Sequence, residues 1–285
     1  FNKKKSKALL QTQPWIHETL GSKPEVSMIK PLPKNLPDSG MLTPYNCRPM
    51  TMPSDKRKFD VRVFWLVATL DPLLVFYQDG YMRISQFPYN EGDYTEEGVR
   101  NNLMDYGEFK HHDAKQPFSN LRDVLENARV KKWPKHVDRF NHVRNQMKEA
   151  VAQVVNALAE PAFSFSANAN HDGWELMVAD FVIEEDTLNV WLVDVHNDSD
   201  VDEDNYHDLG IVHDMYYGTG SILHEIWTKQ EQPSEPLLPL RNPGKWEVLY
   251  VGGGHAAEYK YEYVGFDRAA ANSKKRRACV KPTKG

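Results

Sequence analysis

Three charged side chains alternate with two apolar ones in "KFDVR", residues 58–62. In an extended chain successive side chains point to opposite faces, so Lys58, Asp60 and Arg62 share one face and Phe59 and Val61 the other. Such a stripe can grip phosphate and carboxylate, the arginine doing so bidentately. An ordinary solvent-facing strand with cross-strand ion pairs has the same pattern. Arg83, on a strand close behind, can join this face. A second set lies in "ADFVIEEDTLNVWLVDVHN", residues 179–197, which reads as strand, acidic turn, strand. Asp180 starts the first arm and Asp194 ends the second, and antiparallel pairing brings those ends together. Two carboxylates there can hold Mg²⁺, which takes oxygen ligands and recruits substrate phosphates; plain surface solvation is the alternative.

The elements that must position these residues are partly readable. "FDVRVFWLVATL" (59–70) and "LLVFYQDGYMRIS" (73–85) read as strands, the second divided at Asp79-Gly80, a strong turn signal, so that the whole forms a meander. Short helices are expected near 95–105 and 119–129. A longer one is expected over 136–159, where Val137, Phe140, Val143, Met147, Val151, Val154, Val155 and Leu158 recur at spacings of three and four. The 174–195 hairpin is expected to have a well-buried second arm. A further helix over about 207–229 carries Ile211, Met215, Ile222, Leu223 and Ile226. Strands are expected at 246–251 and 258–264. Residues 1–56 are Pro-rich with little periodicity and read as an irregular leader.

Composition bounds the function. The chain has 285 residues, 40% of them apolar, and seven tryptophans, which marks a folded globular protein. Its net charge of −5 argues against a general nucleic-acid binder. Its longest apolar runs are too short to cross a membrane. Charge is segregated: residues 1–60 carry eleven Lys/Arg against five acids, residues 268–285 carry seven Lys/Arg and no acid, and 194–208 is acidic. Basic ends around an acidic loop suit an anionic partner such as an acidic polypeptide; solvated tails explain "KKRRACVKPTKG" equally well. Two cysteines without ligand spacing suggest a reducing compartment. Residue 1 is Phe, so the native start is expected upstream, and a targeting peptide there stays open. "GGGH" (252–255) lacks the strand-turn-helix setting of a phosphate loop. His196, His207 and His213 with Asp194 raise a transition-metal site, but lack helical i,i+4 spacing.

The two sets together resemble the tubulin tyrosine ligase and tubulin tyrosine ligase-like family, a branch of the ATP-grasp fold. "KFDVR" matches the family's "KFDxR" strand, and "FWLVATLDPLLVFYQDGYMRIS" (64–85) with "FPYN" (87–90) matches the segments that follow it. "WELMVADFVIEEDTLNVWLVDVHN" (174–197) matches the family's metal-bearing hairpin with one extra residue in the turn. The likeness covers roughly 45–229. It implies an α+β, ATP-grasp-like fold with antiparallel sheets and packed helices. The expected divisions are 1–56 (irregular leader or remnant of a first ATP-grasp segment), 57–230 (ligase-like region) and 231–285 (extended C-terminal region with a basic tail). It also implies ATP and Mg²⁺, with Lys58 and Asp60 facing the nucleotide and Arg62 and Arg83 holding the amino acid or the acidic acceptor. Asp180 and Asp194 would ligate the metal. Cytoplasm or cytoskeleton, the cilium included, is the implied location, and an organelle stays open.

Four departures stand beside the likeness. The family's last metal ligand is an Asn two residues after a Glu; here Asp194 replaces the Glu and His196 the Asn, with Asn197 one step further as the remaining oxygen donor. Imidazole is a poor partner for Mg²⁺. Upstream, "WIHETLGSKPEVSMI" (15–29) puts Glu18 where the family has a phosphate-facing lysine, and leaves one glycine, Gly21, with Lys23. Two readings result: an ATP-dependent ligase that adds an amino acid to acidic tubulin-type tails through an eroded site, or an inactive ligase-like subunit in a large assembly.

Overall fold

The computed structural model describes residues 15–18, 26–29, 41–45, 48–91, 115–128, 130, 133–159, 173–197, 210–232 and 236–252. At its centre two long strands, β4 (Arg57–Leu70) and β5 (Leu73–Pro88), pair antiparallel along their whole length. Strand β7 (Glu175–Ile183) flanks β4, and β8 (Val190–His196) flanks β7. The free side of β5 is shared by two short strands, β6 (Lys115–Pro117) on residues 81–83 and β9 (Glu247–Val251) on residues 74–77. All these pairings are antiparallel, in the order β6-β5-β4-β7-β8 with β9 beside β5.

Helices cover both faces, which is why β4 reads as an almost unbroken apolar run. Its odd-numbered side chains Phe59, Val61, Val63, Trp65 and Val67 enter a core with α1 (Asn120–Glu126) and α2 (Arg139–Ala159). Val143, Met147, Val151 and Val155 of α2 are fully buried there, with Phe140, Val154 and Leu158 packed alongside, so the expected stripe is the buried face. Even-numbered Phe64, Leu66 and Ala68 enter a second core with α3 (Ile211–Gln230), where Ile211, Met215, Ile222, Leu223 and Ile226 are buried as their spacing foretold. Lys58, Asp60 and Arg62 precede Phe64 on that same face. One end of the strand face is therefore ionic and the other is the α3 core. No described helix is long and apolar enough to cross a membrane.

Three expectations change. Asp79-Gly80 is not a turn: β5 runs through it, and the register shifts so that Tyr81 faces Arg62 while Asp79 faces Val63, leaving Gly80 as an extra residue. This bulge moves Arg83 and Tyr81 onto the same face as Gln78, Phe76 and Leu74, which simple alternation would have separated. Glycine is required there, because a Cβ would lie 2.4 Å from the Arg62 carbonyl oxygen. The second arm of the hairpin is not well buried: β8 is a sheet edge, with Leu192, Val193 and Asp194 exposed. The leader is not wholly irregular, since β1 (Trp15–Glu18) pairs antiparallel with both β2 (Val26–Ile29) and β3 (Met41–Pro44). The helix expected near 95–105, the strand at 258–264, His207, Gly21, Lys23 and most of "GGGH" lie outside the described residues.

Candidate active site

Cross-strand register gathers the charged residues. Asp60 faces Arg83, Arg62 faces Asp180, and Asp180 faces Asp194, so four strands contribute to one face. The expected proximity of Asp180 and Asp194 holds, although Asp180 lies inside β7 and not at its start. A bulge at Val193, marked by the register shift between Asp180 and Phe181, keeps Asp194 and His196 on the side of Asp180. Lys58, Asp60, Arg62, Arg83 and Asp180 are all buried, which excludes the solvent-facing strand as the meaning of "KFDVR".

The side chains form a ladder. Arg83 Nε and Nη2 donate to the two oxygens of Asp60 at 2.8 and 2.7 Å. The same Arg83 Nη2 lies 2.7 Å from Asp180 Oδ2. Arg62 Nε and Nη2 donate to Asp180 Oδ1 and Oδ2 at 2.8 and 2.9 Å. Arg62 Nη2 also donates to His196 Nε2 at 3.1 Å, and that nitrogen is 3.7 Å from Asp180 Oδ2. Bidentate guanidinium–carboxylate pairs of this length are the strong, directional kind. Burial alone would push the Asp180 carboxyl up, but the guanidinium hydrogen bonds and charges of Arg62 and Arg83 outweigh it and hold it well below the usual carboxylate range. Burial lowers the Arg62 guanidinium, and its bond to Asp180 more than restores it, so Arg62 stays protonated.

Lys58 is the other cation of the face. Burial pushes its ammonium down to about 8, against the upward pull of Asp60. Its Nζ stands 5.5 Å from the centroid of the buried Tyr45 ring, within cation–π range. Tyr81, facing Arg62 across the sheet, and Lys115, whose Nζ lies 6.0 Å from the Tyr81 ring, complete the surroundings. Neither tyrosine nor Lys115 was singled out from the sequence. Tyr81 had a signal, the period of two that ends at Arg83; Tyr45 and Lys115 lie on segments too short to have one. Also unforeseen is a separate cluster on the opposite face of the sheet. There Arg144 binds Asp79 at 2.7 and 2.9 Å, Arg144 and Lys148 both bind Glu247, and their cations lie 5.5 and 5.3 Å from the Tyr77 ring.

The architecture and face together define the class: a mixed α/β fold on an antiparallel sheet, as expected of an ATP-grasp-like ligase. The family model described as "Tubulin-tyrosine ligase family" matches residues 43–220, more than half of the chain and all of the ladder. The chain belongs to the tubulin-tyrosine ligase family. Members generally use ATP and Mg²⁺, and a carboxylate–imidazole group is present: Asp180, Asp194 and His196 each offer a ligand atom, all within 4.8 Å of one another. That group does not fit a resident Mg²⁺. Both oxygens of Asp180 already accept guanidinium N–H groups, the third donor is a nitrogen, and two cations stand at the carboxylate. Asp194 is exposed and its Oδ1 accepts the Val195 N–H at 2.8 Å; Asn197 is exposed just beyond β8. His213 is strongly exposed and is not part of the group.

Proposed function

We propose that this protein is an ATP-dependent ligase of its family's general kind that joins an amino acid to an acidic polypeptide such as a tubulin tail, through a metal centre that has drifted. The observation that carries this reading is the convergence of Lys58, Asp60, Arg62, Arg83 and Asp180 on one buried face, inside the matched interval. In the reaction a tail carboxylate takes the terminal phosphoryl group of ATP, giving an acyl phosphate and ADP. The amine of the amino acid then attacks the acyl carbon; a C–N bond forms, the C–O bond to phosphate breaks, and phosphate and a proton leave. Lys58, Arg62 and Arg83 supply fixed positive charge for the carboxylate and phosphate oxygens, the largest contribution a protein makes to such chemistry. The basic segments at either end favour encounter with an acidic chain. Cytoplasm or cytoskeleton is the location this substrate implies.

A second reading is favoured by one observation, the ion pairs around Asp180, which set guanidinium cations against both of its oxygens where a metal would bind. On that reading the protein is an inactive ligase-like subunit whose cationic face holds an acidic partner within a larger assembly. The two separate on one experiment. The protein is incubated with ATP, Mg²⁺, mixed amino acids and a glutamate-rich peptide, and the peptide is weighed by mass spectrometry. A mass gain of one amino-acid residue, lost in Arg83→Met, supports the ligase. An unchanged peptide in the presence of folded protein removes it.

A further inference from the structure

The disagreement between the donors at Asp180 and the metal used elsewhere in the family has a structural cause. An arginine nitrogen can only donate, so in the 3.1 Å contact with Arg62 Nη2 the His196 Nε2 is the acceptor and the ring proton is on Nδ1. The lone pair with which an imidazole binds a metal is thereby spent on a guanidinium. The same guanidinium spans both oxygens of Asp180, and Arg83 adds a second positive charge at 2.7 Å. A dication arriving here would meet like charge and occupied acceptors at once. Three of the contacts depend on the orientation of one side chain, Arg62: two to Asp180 and one to His196.

We propose that Arg62, oriented by His196, is the standing counter-cation of Asp180 and takes the place of a divalent metal at this centre. His196 is then a positioning residue for the guanidinium and not a metal ligand. The inference rests on the ligase reading only for the location of the face. It is tested by occupancy and hydrogen bonding, so a failed ligation assay leaves it standing and a metal result leaves the ligation assay to be judged alone.

The first test titrates Mn²⁺, a paramagnetic probe of carboxylate sites, into the whole chain and counts free ion by electron paramagnetic resonance. Wild type and Asp180→Asn are expected to bind the same number of ions. A Mn²⁺ site present in wild type and lost in Asp180→Asn overturns the proposal. Because Asp180→Asn removes a buried charge and can unfold the chain, the second test needs only wild type: the ¹⁵N spectrum of the His196 ring. An Nδ1–H tautomer unmoved by millimolar Mg²⁺ is expected; an Nε2–H tautomer, or a shift on adding Mg²⁺, overturns it. His196→Gln, whose carbonyl can accept from Arg62, is expected to keep the Arg62 Nε–H signal protected from exchange, and His196→Ala to lose it. Equal protection in both variants contradicts the positioning role.

Discussion

Asp180→Asn tests the ladder itself. Asp180 is 2% exposed and its oxygens accept two N–H groups from Arg62 and contact a third nitrogen from Arg83. Arg83 keeps both oxygens of Asp60, so the loss falls on Arg62, which keeps one neutral amide oxygen as acceptor and meets an amide NH2 where the second oxygen of the charged carboxylate was. Leaving one member of a buried pair uncompensated costs about 3–5 kcal/mol. For a chain of this size each kcal/mol moves the melting temperature by roughly 2–4 °C. Denaturant unfolding of the two proteins measures it at neutral pH. Acid adds a signature: the Asp180 carboxyl is held well below its ordinary value, so its stabilisation is full above the unfolded carboxylate pKa of about 4 and drains as pH falls through it. Wild type should therefore lose stability on acidification below that point faster than Asp180→Asn. A neutral-pH loss under about 1 kcal/mol, the range of exposed pairs, or parallel acid profiles, refutes the reasoning.

Lys58→Met should be at least as stable as wild type at pH 7, because the wild type there buries a charged ammonium. Folding lowers the Lys58 pKa from 10.5 to about 8, so between those values the unfolded chain binds more protons and wild-type stability climbs with pH relative to the variant; denaturation midpoints across that range read the slope. Gly80→Ala should cost about 1–3 kcal/mol through the forced shift of the β4 backbone at Arg62, and should move the Arg62 Nε–H resonance as well as the unfolding midpoint.

Much of this architecture was legible because long apolar runs and helical stripes bury themselves in only a few ways. The buried stripes of α2 and α3 were read in this way; which face of β4 each covers is given by the structure. What escaped depends on pairing between distant segments. Asp79-Gly80 has the composition of a hairpin turn, and only the Arg62 carbonyl pressed against it shows that a bulge is needed. Nothing local in "NVWLVDV" distinguishes a central strand from an edge, so the exposure of Leu192 and Val193 was not readable. The strands within 15–44 are four residues each, too short for a period to register. At the candidate site, residue types and faces were legible and contacts were not. The sequence shows Arg62, Asp180 and His196 as separate candidates; the register of β4, β7 and β8 makes them one hydrogen-bonded unit.

Nucleotide binding tests the central reading most directly. Mg²⁺-ATP is titrated calorimetrically into wild type and Lys58→Met, the variant expected to keep its fold. Saturable binding by wild type, weakened in Lys58→Met, is the result the ligase reading predicts. Absence of saturable binding at millimolar ATP by folded wild-type protein contradicts it.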